Sequence, residues 1–159
     1  MGLPSDVPEG GIVTATPEDL DAIMAIERCS FSAPWTAEAI ADEITRPWSI
    51  FRVLRNADSQ LCAYLNFWVV YDTLHILNIA THPEHRRLGY ARTLMEELIA
   101  EAQKNAVTEI VLEVRRSNQE AQHLYESLGF DRAGVDPGYY GESGEDAIKY
   151  ARQMAPGVD

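Results

Sequence analysis

The amino-acid sequence predicts an α/β (α+β) fold, in which a mixed sheet carries helices on both faces. Some segments are rich in β-branched and aromatic residues, as strands are. Others repeat their apolar residues at every third or fourth position, as amphipathic helices do. The strand-like segments precede, separate and follow the helix-like ones, which is the order typical of this class.

The chain has the size of one domain. Its 159 residues, 46% of them hydrophobic, can bury one sizeable core but are too few for two ordinary domains in series. We expect a flexible Pro/Gly-rich leader over 1–11, a single domain over 12–154 and a short tail over 155–159.

The first third of the chain predicts one short strand and two helices. The strand covers 12–15, and Thr16 then precedes a first-turn proline and two acidic residues, as at a helix start. Leu20, Ile23, Met24 and Glu27 mark the faces of this helix. A second helix follows Trp35-Thr36 and ends before Pro47.

The middle of the chain predicts three strands and the most clearly periodic helix. Segments 50–54 and 61–71, joined by turn-forming residues at 56–59, read as an antiparallel hairpin, and a third strand covers 74–81. The helix that follows carries an apolar stripe at Ala91, Leu94, Met95, Leu98, Ile99 and Ala102.

The last third predicts a strand, a helix and a final strand. Over 108–114 the residues alternate so that Glu113 lies on the face opposite Ile110. Ser117-x-x-Glu120 predicts a capping box for the next helix, which Gly129 would end, and the last strand covers 147–152.

Composition excludes several classes of function. The net charge of −12 argues against a general phosphate-seeking surface, so we expect no direct nucleic-acid partner. The longest apolar run, near Phe67, is far too short for a membrane span, and no signal segment precedes it. Two distant cysteines suit unpaired thiols. We therefore expect a cytoplasmic protein without membrane association.

A phosphate-binding loop is the first functional signal. Arg86-Arg87-Leu88-Gly89-Tyr90-Ala91 lies between the strand ending at Thr81 and the periodic helix. A helix start offers backbone N–H groups and the positive end of the helix dipole, which suits a pyrophosphate. Taken alone, the segment is as often a plain strand-to-helix connection.

Several motifs together resemble one family. Arg86-x-x-Gly89-x-Ala91 is similar to the Gln/Arg-x-x-Gly-x-Gly/Ala signature of the GNAT N-acetyltransferases. The segments 78–80, 112–115, 117–118 and 124–130 resemble its RimI branch, the ribosomal-protein-alanine N-acetyltransferases. The likeness extends over nearly the whole of 12–154 and implies the GNAT fold, with a mostly antiparallel central sheet.

The resemblance also implies site residues. Glu113 would be the general base and Tyr125 the general acid of a direct transfer from acetyl-coenzyme A to a protein N-terminus. The first candidate acceptor is the N-terminus of a ribosomal protein. Tyr139 and Tyr140 would contact the acceptor. The residues implied to bind the coenzyme are Ile79, Ala80 and Thr81 on the strand, then Arg86, Arg87, Leu88, Gly89, Tyr90, Ala91, Arg92 and Asn118.

Physical chemistry supports the predicted acid and base. An α-amino group with a pKa of about 8 is mostly ammonium at neutral pH, so a carboxylate must take its proton before it attacks a thioester. A phenol can return a proton to the departing thiolate. The alternative is that Glu113 is a solvent-facing strand residue, Asn118 a helix-start polar group and Tyr125 a ring anchoring its helix.

The segment 136–141 reads as a turn-rich aromatic loop. Family members cover the acceptor with the equivalent loop, but this chain has Val135-Asp136-Pro137-Gly138 where the branch often has Arg and Asn. An ordinary surface hairpin is the alternative. Three acidic residues that follow, Glu142, Glu145 and Asp146, are candidates to attract a basic peptide.

The histidines and the cysteines predict no further chemistry. Pro83 interrupts the cluster His82 to His85, and no second group of ligands completes it, so we expect no metal. His75 and His123 read as ordinary polar positions.

Two rival functions are transfer to lysine or a small amine on the same fold, and a noncatalytic acyl-coenzyme A sensor.

Overall fold

The computed structural model describes residues 11–141 and 144–155. Its strands and helices are β1 (Ile12–Thr14), α1 (Leu20–Ser30), α2 (Ala37–Thr45), β2 (Ser49–Arg55), β3 (Leu61–Val70), β4 (Thr73–Thr81), α3 (Tyr90–Lys104), β5 (Glu109–Arg115), α4 (Gln119–Ser127), β6 (Asp131–Tyr140) and β7 (Glu145–Gln153). Within this described part, seven strands form one sheet in the order β1-β2-β3-β4-β5-β7-β6.

The sheet is mixed and mostly antiparallel, as predicted. The pairs β1–β2, β2–β3, β5–β7 and β6–β7 are antiparallel, and β4–β5 is parallel. In the parallel pair, His75 lies opposite Val111. This register brings β4 side chains beside those of β5, which carries Glu113.

The described chain divides into two compact units. The first holds residues 11–68 and 78–97, and the second holds 69–77, 98–141 and 144–155. Most of the leader and the tail predicted at the ends lies outside the described residues.

The first unit has its own apolar core. The predicted helix start at Thr16 opens a 3-10 turn, Pro17–Asp19, in which the Thr16 N–H donates to Asp19 Oδ2 at 2.9 Å; the α-helix itself begins after this turn, at Leu20. Thr36 Oγ1 accepts from the N–H of Ala39 to cap α2. The buried residues of this core are Ala15, Ile23, Met24, Ile26, Ile40, Phe51, Val53, Leu61, Tyr64 and Ala80.

The second unit confirms the predicted alternation in β5. Ile110, Leu112 and Val114 are buried, whereas Glu113 on the other face is partly exposed. Gly129, at φ +88°, follows α4 as the predicted C-terminal cap residue.

The predicted capping box of α4 is wrong. Asn118 is the N-cap residue, and its Oδ1 accepts from the N–H of Ala121 at 3.1 Å. Ser117 lies one residue too early, and its N–H donates instead to Glu145 Oε2 at 2.7 Å. By residue type alone, Ser117 and Asn118 are both good N-cap residues. The contact of the Ser117 N–H with Glu145, at the start of β7, leaves Asn118 as the cap.

The predicted loop over 136–141 is also wrong, because most of it belongs to β6. The register of β6 on β7 shifts between Asp136 and Tyr140, where the strand is bulged, and Gly138 has φ +65°. Since β6 is the edge strand of the sheet, Pro137 removes no ladder hydrogen bond from a central strand. Pro and Gly thus marked a bulge rather than a loop.

Candidate active site

Arg86 anchors the loop that is predicted to bind phosphate, within the first unit. Its Nε donates to the carbonyl of Thr81 and its Nη2 to Ser30 Oγ, both at 3.2 Å. The first contact returns to the end of β4, and the second reaches the end of α1. In this structure the guanidinium holds the loop's entry, which is a structural task beside its predicted contact with a phosphate.

The loop then makes two left-handed residues before α3 begins. Arg87 has φ +65° and Gly89 φ +85°, and the Gly89 carbonyl accepts from Thr93 N–H at 2.9 Å and Thr93 Oγ1 at 2.8 Å. No atom lies within 4 Å of a Cβ built on Gly89. Left-handed residues at a helix start turn backbone N–H groups toward one concave side, a geometry that suits phosphate oxygens.

The other loop residues differ in exposure. Leu88 is 51% exposed, whereas the Tyr90 ring is only 1% exposed and belongs to the core. Any contact between Tyr90 and a coenzyme would therefore use its main chain. Ala91 and Arg92 are half-buried in the first turn of α3.

A fully buried carboxylate fixes the strand segment 79–81. Glu27, on α1, accepts from Asn78 Nδ2 at 2.8 Å, from the N–H of Trp35 at 2.8 Å and from the Tyr64 hydroxyl. Burial first, and the neighbouring Glu27 second, raise the pKa of Tyr64 well above its usual value. Asn78 directly precedes Ile79, Ala80 and Thr81, so this network sets the position of the predicted thioester-binding backbone.

Glu113, on β5 of the second unit, is a mostly buried carboxylate with a histidine partner. Its side chain is 12% exposed, and its Oε1 lies 2.9 Å from Nε2 of His75 on β4. The Tyr139 hydroxyl on β6 lies beside the same carboxylate. Burial, followed by the charge of Glu113, raises the pKa of Tyr139, which therefore stays a neutral donor at pH 7.

The two predicted acceptor tyrosines pack edge to face, with ring centroids 5.0 Å apart. Tyr139 is 53% exposed, and the Arg115 guanidinium lies 4.0 Å from the ring centroid of Tyr140. Burial, with Tyr139 next, raises the pKa of Tyr140 to about 12. The Tyr139 ring thus faces solvent beside Glu113, and the Tyr140 ring packs against the Arg115 guanidinium.

Tyr125 is nearly buried, at 5% exposure. Its ring lies between Phe130 and Tyr150, with centroids 5.9 and 6.2 Å away. Burial first, and Tyr140 second, raise its pKa well above the usual value. The phenol is therefore protonated at neutral pH, as a general acid must be, and it also serves the anchoring role that was the alternative.

The acidic residues predicted to attract a basic peptide are already paired. Glu145 contacts Arg115 at 3.3 Å, and Asp146 contacts Arg116 at 3.4 Å. Glu142 lies outside the described residues. These ion pairs reduce the charge left for an incoming peptide.

Sequence reasoning missed His75 and Glu27. His75 was predicted to be an ordinary polar position, but it contacts the candidate base. The sequence did contain a signal for Glu27. This charged residue lies three positions after Met24 and four after Ile23, which places it on the buried face of α1. Such a residue must find partners when it is buried.

Two classes of feature are absent from residues 11–141 and 144–155. No group of three or more His, Cys, Asp or Glu side chains could hold a metal ion there. None of the helices in that part of the chain is long and apolar enough to cross a membrane. Cys29 is exposed, Cys62 is buried, and neither forms a disulfide.

Solved structures define the class of protein. The crystal structure of the ribosomal-protein-S18-alanine N-acetyltransferase from Escherichia coli matches with a TM-score of 0.84 and 33% identity, over 93% of this chain and 96% of that one. The PaiA N-acetyltransferase from Thermoplasma acidophilum, in complex with coenzyme A, matches with a TM-score of 0.76 and 19% identity, over 90% of this chain and 98% of that one. The fold is that of the N-acetyltransferases.

Sequence comparison names the family. The family model described as Acetyltransferase (GNAT) family matches residues 20–130. The ribosomal protein bS18-alanine N-acetyltransferase of Escherichia coli K12 is 37% identical over 132 residues, which are 82% of this chain and 88% of that protein. The chain belongs to the GNAT acetyltransferase family and is an N-acetyltransferase enzyme, as the motifs predicted.

Proposed function

We propose that this enzyme moves the acetyl group of acetyl-coenzyme A to the N-terminal amine of a protein. The N-terminal alanine of a small-subunit ribosomal protein is the first acceptor to test, since the Escherichia coli relative is named for it. The observation that carries the chemistry is Glu113, a carboxylate at 12% exposure whose Oε1 lies 2.9 Å from His75 Nε2 on β4 and which has Tyr139 of β6 beside it.

Coenzyme binding is assigned to the loop and to the strand that precedes it. The left-handed Arg87 and Gly89 and the start of α3 fit a pyrophosphate, because they offer backbone N–H groups and open space. Strand backbone at 79–81 is assigned to the acetyl-bearing arm, and one of its N–H groups to the thioester carbonyl oxygen. Acetyl-coenzyme A supplies the activated acyl group.

Glu113 is assigned as the base. It takes one proton from the acceptor's ammonium group, directly or through a water, and leaves a neutral amine whose lone pair can form the new C–N bond. The Tyr125 hydroxyl gives a proton to the coenzyme sulfur as the C–S bond breaks, and the second proton that the nitrogen loses as the amide forms returns through water to the Tyr125 oxygen. That phenol is protonated at pH 7 and so carries the proton it must donate, while burial raises its pKa and makes it a weaker acid.

Asn118 is kept as a coenzyme contact in this proposal. Its Oδ1 caps α4, its N–H donates to the Arg115 carbonyl at 2.9 Å and its carbonyl accepts from the Gln122 N–H at 3.2 Å, so the side-chain Nδ2 is the group assigned to the ligand. Tyr139, half-exposed beside Glu113, is assigned to the acceptor's first residue together with Tyr140.

The decisive experiment maps where the acetyl group goes. An α-amine has an unperturbed pKa of about 8 and a lysine amine about 10.4, so deprotonating the terminus at neutral pH costs ~3 kcal/mol less. A lysine-containing peptide that begins with alanine should be acetylated at its α-amine. The same peptide with a blocked terminus should stay unmodified by mass spectrometry. Equal or faster modification of lysine would refute the N-terminal assignment.

Two further measurements separate catalysis from coenzyme binding. Glu113→Gln and Tyr125→Phe should each lower kcat by roughly a hundredfold or more. Both variants should keep the rise in Tm that acetyl-coenzyme A gives the wild type. Gly89→Val should lose that rise, because a β-branched residue at φ +85° is strained and its side chain fills the open space. Full activity in Glu113→Gln would refute its role as base.

A further inference from the structure

We propose that His75 is a positioning residue for the base: it donates from Nε2 to Oε1 of Glu113 and keeps the carboxylate in its working orientation. This inference rests on the proposed role of Glu113. It assigns a task to a residue whose sequence context shows none.

The sheet places the two side chains together. β4 and β5 run parallel, and His75 lies opposite Val111, two residues before Glu113. Residues two apart on a strand share a face, so Glu113 projects on the same face as Val111. The His75 side chain is 35% exposed and reaches Oε1 at 2.9 Å, an ordinary hydrogen-bond length.

A glutamate needs such a partner to act as a base. Its side chain has three rotatable bonds, and holding them in one arrangement costs rotamer entropy. A hydrogen bond to a charged group offsets that cost and fixes one oxygen. With Oε1 held, Oε2 keeps a constant direction toward a proton donor. Proton transfer is sensitive to placement on the scale of 1 Å.

Two donors from different strands share this carboxylate. His75 reaches it from β4, which pairs directly with β5. Tyr139 lies on β6, which β7 separates from β5 in the sheet. Tyr139 is 53% exposed and is assigned to the acceptor, so it must adjust when an acceptor binds. His75 lies on a strand inside the sheet, whereas Tyr139 lies on the bulged edge strand β6, so His75 is the donor that stays in place. The donating form of its neutral ring is the tautomer with hydrogen on Nε2.

The test compares three replacements at one position. His75→Ala removes the donor, and His75→Asn shortens the side chain so that its amide ends near the position of Nδ1. His75→Gln places an amide N–H near the position of Nε2. We expect kcat to fall about tenfold in the Ala and Asn variants, with KM for acetyl-coenzyme A unchanged, and to recover most of the loss in the Gln variant.

A double-mutant cycle shows whether the effect passes through Glu113. In a Glu113→Ala background, His75→Ala should lower the residual kcat no further, because the group it orients is gone. An equal tenfold loss in both backgrounds, or wild-type kcat in the Ala and Asn variants, would overturn the proposal. A structural role alone would lower Tm without this coupling.

Two controls keep the outcomes distinct. His123→Ala, an exposed histidine on α4, should leave kcat unchanged. Glu113→Ala by itself reports on the proposed function: if that variant keeps full activity, the base assignment fails, whatever the His75 variants do. If Glu113→Ala is impaired but the cycle shows no coupling, only the positioning role of His75 fails.

Discussion

Replacing Tyr64 by Phe tests the buried network around Glu27. Tyr64 and Glu27 are both fully buried, and the phenol donates to the carboxylate. After the replacement, Glu27 keeps Asn78 Nδ2 and the Trp35 N–H, each at 2.8 Å. The variant therefore loses one of the three donors to the Glu27 carboxylate and the hydroxyl that accepts from Asn78 Nδ2 at 3.3 Å, but no carbon atoms.

The expected loss of stability is set mainly by the hydrogen bond from the Tyr64 hydroxyl to the Glu27 carboxylate. A hydrogen bond to a charged group contributes about 1.5–3 kcal/mol net, so we expect Tyr64→Phe to lower the free energy of unfolding by ~2 kcal/mol. For a chain of this size that corresponds to a fall in Tm of roughly 4–8 °C. All three tryptophans, at 35, 48 and 68, lie in the same unit as Tyr64, so urea unfolding followed by tryptophan fluorescence reports on it.

The difference in unfolding free energy between wild type and Tyr64→Phe should shrink at alkaline pH. Because the pKa of Tyr64 is raised in the folded state, the folded protein keeps a proton that the unfolded chain releases above pH 10. The stability from this group is fully present below pH 10 and is lost as pH rises, by up to about 1.4 kcal/mol per pH unit. Wild type should therefore lose more stability than Tyr64→Phe between pH 10 and 11.

An exposed tyrosine provides the matched control. Tyr71 is 99% exposed, so Tyr71→Phe should change the free energy of unfolding by less than about 0.5 kcal/mol. If Tyr64→Phe is equally silent, or if its deficit grows above pH 10, the phenol does not stabilise the buried carboxylate and the reasoning is wrong.

Two predictions concern the ends of α4. Asn118→Ala should cost about 1 kcal/mol of unfolding free energy, because the N-cap bond to Ala121 is lost, while the exposed Gln119→Ala should cost less than half of that; equal effects would refute the cap assignment. Gly129→Ala should cost about 1–2 kcal/mol, since φ is +88° and the new Cβ would lie 3.2 Å from an Arg152 side-chain atom. Gly134→Ala, with no atom within 4 Å of its Cβ, should cost less in the same chemical denaturation assay, and the reverse order would contradict the prediction.

Local sequence patterns predicted most elements because their causes are local. The 3.6-residue period of α3, the period of two in β5 and the turn between β2 and β3 each depend on neighbours a few positions away. The same patterns missed β6. A strand interrupted by Gly134, Pro137 and Gly138 looks like a loop until its place at the sheet edge is known.

The sequence by itself determined the family, and it predicted the residue types for the chemistry: a carboxylate at 113, a phenol at 125 and a glycine at 89. Only the tertiary structure decided what each of them touches. Glu27 meets Asn78 across 51 positions, and His75 meets Glu113 across 38. Contacts of that separation depend on which strands lie side by side, and strand pairing is fixed by burial and register over the whole sheet rather than by any local pattern.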